Sequence, residues 1–334
     1  MKFGKIRHIL FLGGGKLLCV VLEKAKKLGF SYTIITSERH AREIIGQQTL
    51  QEYLEKNGFK FHISQDINKD TFVEKSITKD TLGVSLSAAW IFKEPFIKKF
   101  EGRLINLHGS LLPNDRGGGG STWPILRNAK NIGATIHLVD PGIDTGDILF
   151  QWEGELGPKD TPLAHQAKIF SAAENLFEKL FMDIKENADF PLASQDESKS
   201  MYRPRVSTIS QGFVNWSWTG AQIECFMRAF DKPYPGAMSF VYASGGRIQV
   251  KLSSCSLVPD EDFHPFQSGL IYRIDKKGFH IASVGGTLVV QNIETMEGKP
   301  AREKISVGDR LYTPVEFLEA AFTSRIIYTP RGLK

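Results

Sequence analysis

Within residues 105–151, an asparagine, a histidine and an aspartate are spaced so that they can act together: Asn106 and His108 at the end of an apolar run, then Asp144 about 36 residues later. Residues two apart on a strand share a face, so the Asn106 amide and the His108 imidazole would point the same way. Asp144 sits in Ile143-Asp144-Thr145-Gly146-Asp147, a glycine-containing loop entering another apolar run, from which a carboxylate can reach the imidazole. The set lacks a serine or cysteine nucleophile. Ser110 follows closely, but His108-Gly109-Ser110-Leu111-Leu112 is not the Gly-x-Ser-x-Gly elbow that exposes one, so Ser110 reads as a residue that positions the loop or touches substrate.

An amide, an imidazole and a carboxylate suit attack by an amine on a carbonyl when the substrates bring both. Asn106 can donate a hydrogen bond to the developing oxyanion. His108 can stabilise that charge as an imidazolium or relay a proton. Asp144 can orient the imidazole and accept the amine's proton through water. Losing one oxyanion donor typically costs on the order of 10²–10³ in rate. Singly, a histidine at a strand end is more often structural, and an aspartate beside glycine is more often turn chemistry. The joint spacing carries the reading.

Those residues need a scaffold that brings strand ends together. Apolar runs at Ile6–Leu12, Tyr32–Thr36, Lys60–Ile63, Leu82–Leu86 and Arg103–Leu107 alternate with helical patterns at 16–28, 41–56 and 68–76. Continuous apolar strands spaced by helices predict an α/β fold, a Rossmann-like parallel sheet flanked by helices. In such sheets ligands bind beyond the carboxyl ends of the strands, where Asn106 and His108 fall. Gly133–Val139 and Asp147–Trp152 read as two more strands, joined by Asp140-Pro141-Gly142. Thr161-Pro162 opens a helix with a cap and a proline at its first position. Gly13-Gly14-Gly15-Lys16 opens the first helix, where backbone N–H groups favour an anion. Leu18 breaks the Gly-x-Gly-x-x-Gly dinucleotide pattern, and close strand–helix packing explains the glycines equally well.

The polar, aperiodic stretch 187–200 marks a boundary. The expected division is 1–190 for the catalytic domain, 191–204 for a linker and 205–334 for a smaller β-rich domain, an OB-like barrel. Its strands are predicted at 248–252, 269–274, 278–283 and 287–293, after a helix over 221–230.

The net charge of +5 over 334 residues is compatible with a phosphorylated substrate without requiring nucleic acid. Three scattered cysteines, Cys19, Cys225 and Cys255, are too few for a disulfide framework or a metal site, so no metal is expected. They fit a reducing cytoplasmic compartment. No apolar run approaches the ~18 residues of a spanning helix, so no membrane partner is expected, and the basic, apolar N-terminus lacks a small-residue cleavage site.

The pattern Asn106-x-His108-x-Ser110-Leu111-Leu112-Pro113-x-x-Arg116-Gly117, followed by Asp144-x-Gly146-x-Ile148, resembles the folate-dependent formyltransferases. That resemblance implies N10-formyltetrahydrofolate as co-substrate and Asn106, His108 and Asp144 as the catalytic set. It also implies that Val84–Phe92, with Trp90, Ile91 and Phe92 nearest, lines the pteridine pocket opposite the loop carrying Asp140 and Ile143. For Trp90-Ile91-Phe92, plain core packing is the competing reading. Asn215-Trp216-Ser217 and Pro233-Tyr234-Pro235-Gly236 resemble the start of the second domain shared by the tRNA-directed enzymes and several sugar-directed ones. Hydrolysis of the formyl-folate is disfavoured, because enzymes of that kind carry an extra N-terminal domain, whereas this sequence begins at a strand.

Between the remaining branches, three features favour a dTDP- or UDP-linked amino sugar over methionyl-tRNA. Arg116 is followed by Gly117-Gly118-Gly119-Gly120 in place of Ala-Ala-Pro. The loop Ser37–Glu43 is short and mixed in charge where the tRNA enzyme is basic. Residues 201–334 carry 16 basic against 12 acidic side chains, a weak platform for many phosphates. The expectation is a sugar N-formyltransferase of surface polysaccharide (lipopolysaccharide O-antigen) synthesis, with methionyl-tRNA formyltransferase as the alternative and a homodimer paired through the C-terminal barrel. Gly13, Gly14, Gly15, Lys16, Ser110, Arg116, Gly117 and Gly118 are the expected substrate contacts.

Overall fold

In the computed structural model, which describes residues 1–243 and 246–334, the first 160 residues build one seven-stranded sheet. In chain order its strands are β1 (His8–Gly13), β2 (Ser31–Thr36), β3 (Phe61–Ile63), β4 (Thr81–Leu86), β5 (Leu104–His108), β6 (Asn131–Leu138) and β7 (Ile148–Glu155). Across the sheet the order is β7-β6-β5-β4-β1-β2-β3. Alternate residues of β1 enter different cores. Ile9 and Phe11 join α1 (Gly15–Lys27) and the long helix Pro162–Lys185 on one face, while Leu10 and Leu12 join Trp90, Phe96 and Phe100 on the other. Burial on both faces is why these strands read as unbroken apolar runs.

The chain steps from β1 outward to β3, then returns to β4 on the other side of β1. That reversal opens a crevice above the β1 and β4 carboxyl ends. Gly13 ends β1 there, and a Cβ on it would lie 2.0 Å from the Leu86 carbonyl oxygen, with φ at +137°. The strand ends can close together only around a glycine.

Two features differ from the expected sheet and helices. β6 and β7 run antiparallel to their neighbours, with Asn106 opposite His137 and His108 opposite Thr135. The loop between them is too short for the crossover a parallel pair needs. The helix expected over 41–56 is broken into Glu38–Ala41, a small hairpin at 44–49 and α2 (Leu50–Lys56). Gly46 turns at φ +71°, and Thr49 with Glu52 forms a capping box that restarts the helix.

The helix Pro162–Lys185 is α3; beyond it the second core forms around α4 (Gly220–Ala229) and six antiparallel strands. These are β8 (Ala237–Ala243), β9 (Gly246–Val258), β10 (Ile271–Asp275), β11 (Gly278–Ser283), β12 (Gly286–Thr295) and β13 (Leu311–Tyr312), in the order β10-β11-β12-β9-β8-β13. The sheet curls until its outer strands meet, through Ile271 N–H to Asp309 O (2.9 Å) and Leu311 N–H to Gly269 O (2.8 Å). β8 and the helix α5 (Val315–Thr323) are additions to the sequence reading; Phe317 of α5 packs 4.8 Å from both Phe213 and Phe240.

The two cores are tied together beside the site. Ile125, from the segment after the glycine run, is buried in the second core. The Leu163 N–H donates to Lys232 O (3.1 Å), and Arg228 donates to Asp160 O (3.1 Å). The linker is ordered: Tyr202-Arg203 pairs in parallel with Arg116-Gly117. No helix of the described residues is long and apolar enough to cross a membrane.

Candidate active site

Asn106 and His108 end β5, and the β5–β6 register sets His137 against Asn106. His137 is buried, and its Nδ1 lies 2.8 Å from the Leu138 carbonyl. A carbonyl only accepts, so Nδ1 carries the proton and Nε2 is a bare acceptor. Asn106 Nδ2, 3.1 Å from that Nε2, donates to it. This fixes the amide's rotation and leaves its second N–H free for another partner.

Burial is the main cause that lowers His137 from its ordinary 6.5 to about 4, against the pull of the Asp144 charge. A pH dependence of stability follows. Above pH 6.5 both folded and unfolded His137 are neutral; as the pH falls towards 4, the unfolded chain takes up a proton that the folded one refuses. Stability should therefore drop across that window. Urea unfolding at pH 7 and pH 4.5 should show that drop, and His137→Leu should flatten it; equal slopes for both proteins would remove the assignment.

His108 is oriented in the same way. Its Nε2 donates to Asp115 O at 2.6 Å, and the same carbonyl accepts from Ser110 Oγ at 2.7 Å. The remaining nitrogen, Nδ1, stands 3.5 Å from Asp144 Oδ2, so this is the atom that can gain or lose a proton beside the carboxylate. Asp115 itself is buried between Arg203 (3.0 Å) and Arg127, which holds its carbonyl in place.

Asp144 has φ +56°, an uncommon conformation for a residue with a side chain. Its Oδ2 accepts the Gly117 N–H at 2.9 Å, and its Oδ1 lies 3.6 Å from His137 Nε2. The strained turn is held from outside, by Gln195 Nε2 donating to Asp144 O (2.9 Å) and Gly146 O (2.7 Å). Arg116 grips the same glutamine through Nε and Nη2, and Glu197 through Nη1 and Nη2. The linker thus locks the loop that presents Asp144.

The structure brings Asn106 and His108, two apart on β5, together with Asp144, 36 residues further on. It places the other expected residues variously. Ser110 is buried with its hydroxyl hydrogen spent on Asp115 O. The Arg116 guanidinium is committed to Gln195 and Glu197, and a Cβ on Gly117 (φ +95°) or Gly118 would strike Arg203 O or Arg205. The backbone that approaches these glycines closely is the protein's own linker. Gly14 packs on His40, while Lys16 is exposed. Trp90 and Phe92 join the core with Phe96, but Ile91 (74% exposed) and Ile143 (51% exposed) leave apolar side chains uncovered. Asp140 accepts from Gly142 N–H (3.1 Å) and Thr145 Oγ1 (2.5 Å), shaping the turn before Asp144.

His137, Asp115, Gln195 and Glu197 escaped the sequence reading. For His137 a signal exists: with Thr135 it supplies the polar residues of β6 opposite Asn106 and His108, in the otherwise apolar buried run 132–137. Gln195 and Glu197 have no such signal, since they lie in the polar stretch read as a tether.

The family model described as formyl transferase matches residues 13–180, and that described as formyl transferase, C-terminal domain, matches 207–304. A methionyl-tRNA formyltransferase of Geotalea uraniireducens is 26% identical over 311 residues, 91% of this chain and 94% of that protein. Among solved structures, an N-formyltransferase from Helicobacter canadensis in complex with folinic acid and dTDP-3-aminofucose has a TM-score of 0.66 at 23% identity, covering 86% of this chain and 99% of its own. A 4-N formyltransferase from Francisella tularensis has a TM-score of 0.58 at 22% identity, over 75% of this chain and 98% of its own.

Proposed function

We propose that this chain, which belongs to the formyl transferase family, moves the formyl group of N10-formyltetrahydrofolate to the primary amine of a nucleotide-linked amino sugar. The observation that carries the reading is that His108 Nδ1 stands 3.5 Å from the Asp144 carboxylate, while the Asn106 amide, with one N–H free, is held at 3.1 Å by a His137 Nε2 that itself lies 3.6 Å from that carboxylate. This trio stabilises and deprotonates without attacking, which suits transfer between two bound substrates.

The free N–H of Asn106 and a protonated His108 Nδ1 meet the oxygen that becomes negative as the amine adds to the formyl carbon. Asp144 takes the proton the amine sheds, directly or through water. His108 returns a proton to the folate nitrogen as its bond to the formyl carbon breaks. Ile91 and Ile143 offer apolar side chains on the two segments expected to flank a flat heterocycle.

The relative solved with folinic acid and dTDP-3-aminofucose supports the sugar as acceptor. So does the second domain: its Arg228 is buried in an ion pair with Glu224, which removes it from the positive surface a nucleic acid would use. The relative from Geotalea favours a second reading, methionyl-tRNA as acceptor. A panel of dTDP- and UDP-linked amino sugars and methionyl-tRNA, each supplied with N10-formyltetrahydrofolate, separates the two through folate absorbance and product mass. The expected result is a nucleotide sugar heavier by one formyl group. Formylation of methionyl-tRNA alone would reverse the choice.

A further inference from the structure

Arg39 follows the carboxyl end of β2, and Arg205 lies just past the linker against the glycine run, with its Cγ 2.1 Å from where a Gly118 Cβ would stand. Both guanidinium carbons sit over one tyrosine ring, that of Tyr328, at 5.1 and 5.0 Å from its centroid. Tyr328 belongs to the last hairpin of the chain, Tyr328–Thr329 with Gly332–Leu333, beyond the stretch that matches the family. The hairpin is docked on the catalytic sheet. The Arg39 N–H donates to Pro330 O (3.1 Å), and Arg331 donates to Gln65 Oε1 (2.6 Å), just past the end of β3.

Two like charges held this close repel unless something negative joins them. The carboxylate in the neighbourhood, Glu43, accepts from His40 Nδ1 (3.0 Å) and is not bonded to either arginine. Arg39 Nη2 bonds His40 Nε2 (3.0 Å), yet its buried Nε has no partner. Burial, and then the Arg205 charge, hold Arg39 below the usual arginine range. The Tyr328 ring braces both forks, and a guanidinium fork matches phosphate oxygens. The place is next to the chemistry: Arg205 packs on Gly118, whose neighbour Gly117 donates to Asp144.

We infer that Arg39 and Arg205, braced by Tyr328, bind the diphosphate of a nucleotide-linked substrate, so that the C-terminal hairpin completes the acceptor site. This rests on the acceptor class proposed above, but its test does not need turnover. Inorganic pyrophosphate and thymidine diphosphate are titrated calorimetrically into the full-length protein. Arg39→Gln and Arg205→Gln should each weaken pyrophosphate by about tenfold or more, while Lys276→Gln, an equal charge change on the second domain, should not. Tyr328→Phe should bind as the unchanged protein does, and Tyr328→Ala should lose affinity. Binding of N10-formyltetrahydrofolate should stay within about twofold throughout, which also shows that the variants fold. No pyrophosphate binding by the unchanged protein, or equal binding by both arginine variants, overturns the inference. If pyrophosphate binding depends on the arginines but no amino sugar is formylated, it is the acceptor assignment that fails.

Discussion

Asp144→Asn is expected to lower kcat by about a thousandfold while leaving the affinity for N10-formyltetrahydrofolate within about threefold. The substitution is nearly isosteric. Its amide oxygen can still accept from the Gly117 N–H, and Gln195 still holds the backbone of the turn, so the loop should keep its shape. What disappears is the negative charge beside His108 Nδ1 and the base that takes the amine's proton. General acid–base roles are typically worth 10²–10⁴, and removing the carboxylate here also removes the partner of the imidazolium. Steady-state kinetics with both substrates saturating, set against equilibrium folate binding, makes the measurement. Equal losses in the two would mean that Asp144 only shapes the pocket.

Asn106→Ala should cost on the order of 10²–10³ in kcat, the usual penalty for one oxyanion donor. The informative companion is His137→Leu, which removes the acceptor that fixes the amide while leaving the donor present. Its expected loss is about tenfold to a hundredfold, because a freely rotating amide points its N–H groups at the oxyanion only part of the time. Once Asn106 is alanine, His137 has nothing left to position, so the double variant should be no slower than Asn106→Ala alone. Losses that multiply would show that His137 acts on the reaction by a route other than the amide.

Both expectations depend on orientation. Each of the three groups is held by a neighbour: His137 bonds the Asn106 amide, the Asp115 carbonyl bonds His108, and Gln195, gripped by Arg116, bonds the Asp144 backbone. The second domain reaches the same loop through Ile125, buried in its core. A chain cut at residue 190 would lose Gln195 and Glu197, which hold the Asp144 turn and Arg116.

The sequence alone determined the alternation of buried strands and helices, because a strand covered on both faces must be apolar throughout, as β1 and β4 are. It also offered the chemical set on which the proposed transfer rests, with Asn106 and His108 two apart at a strand end and Asp144 in a glycine loop. Local rules reached the Thr161-Pro162 helix start for the same reason: cap and proline act within one turn. Tertiary structure alone decided which nitrogen of His108 faces Asp144, since that depends on the Asp115 carbonyl, placed by two arginines, one of them 88 residues away in the linker. It also decided the antiparallel β6, the break after Ala41, and the gathering of Arg39, Arg205 and Tyr328 from three distant segments. Contacts of this kind carry no period and no local motif. They exist only once strand order and chain reversal have set which loops share an edge.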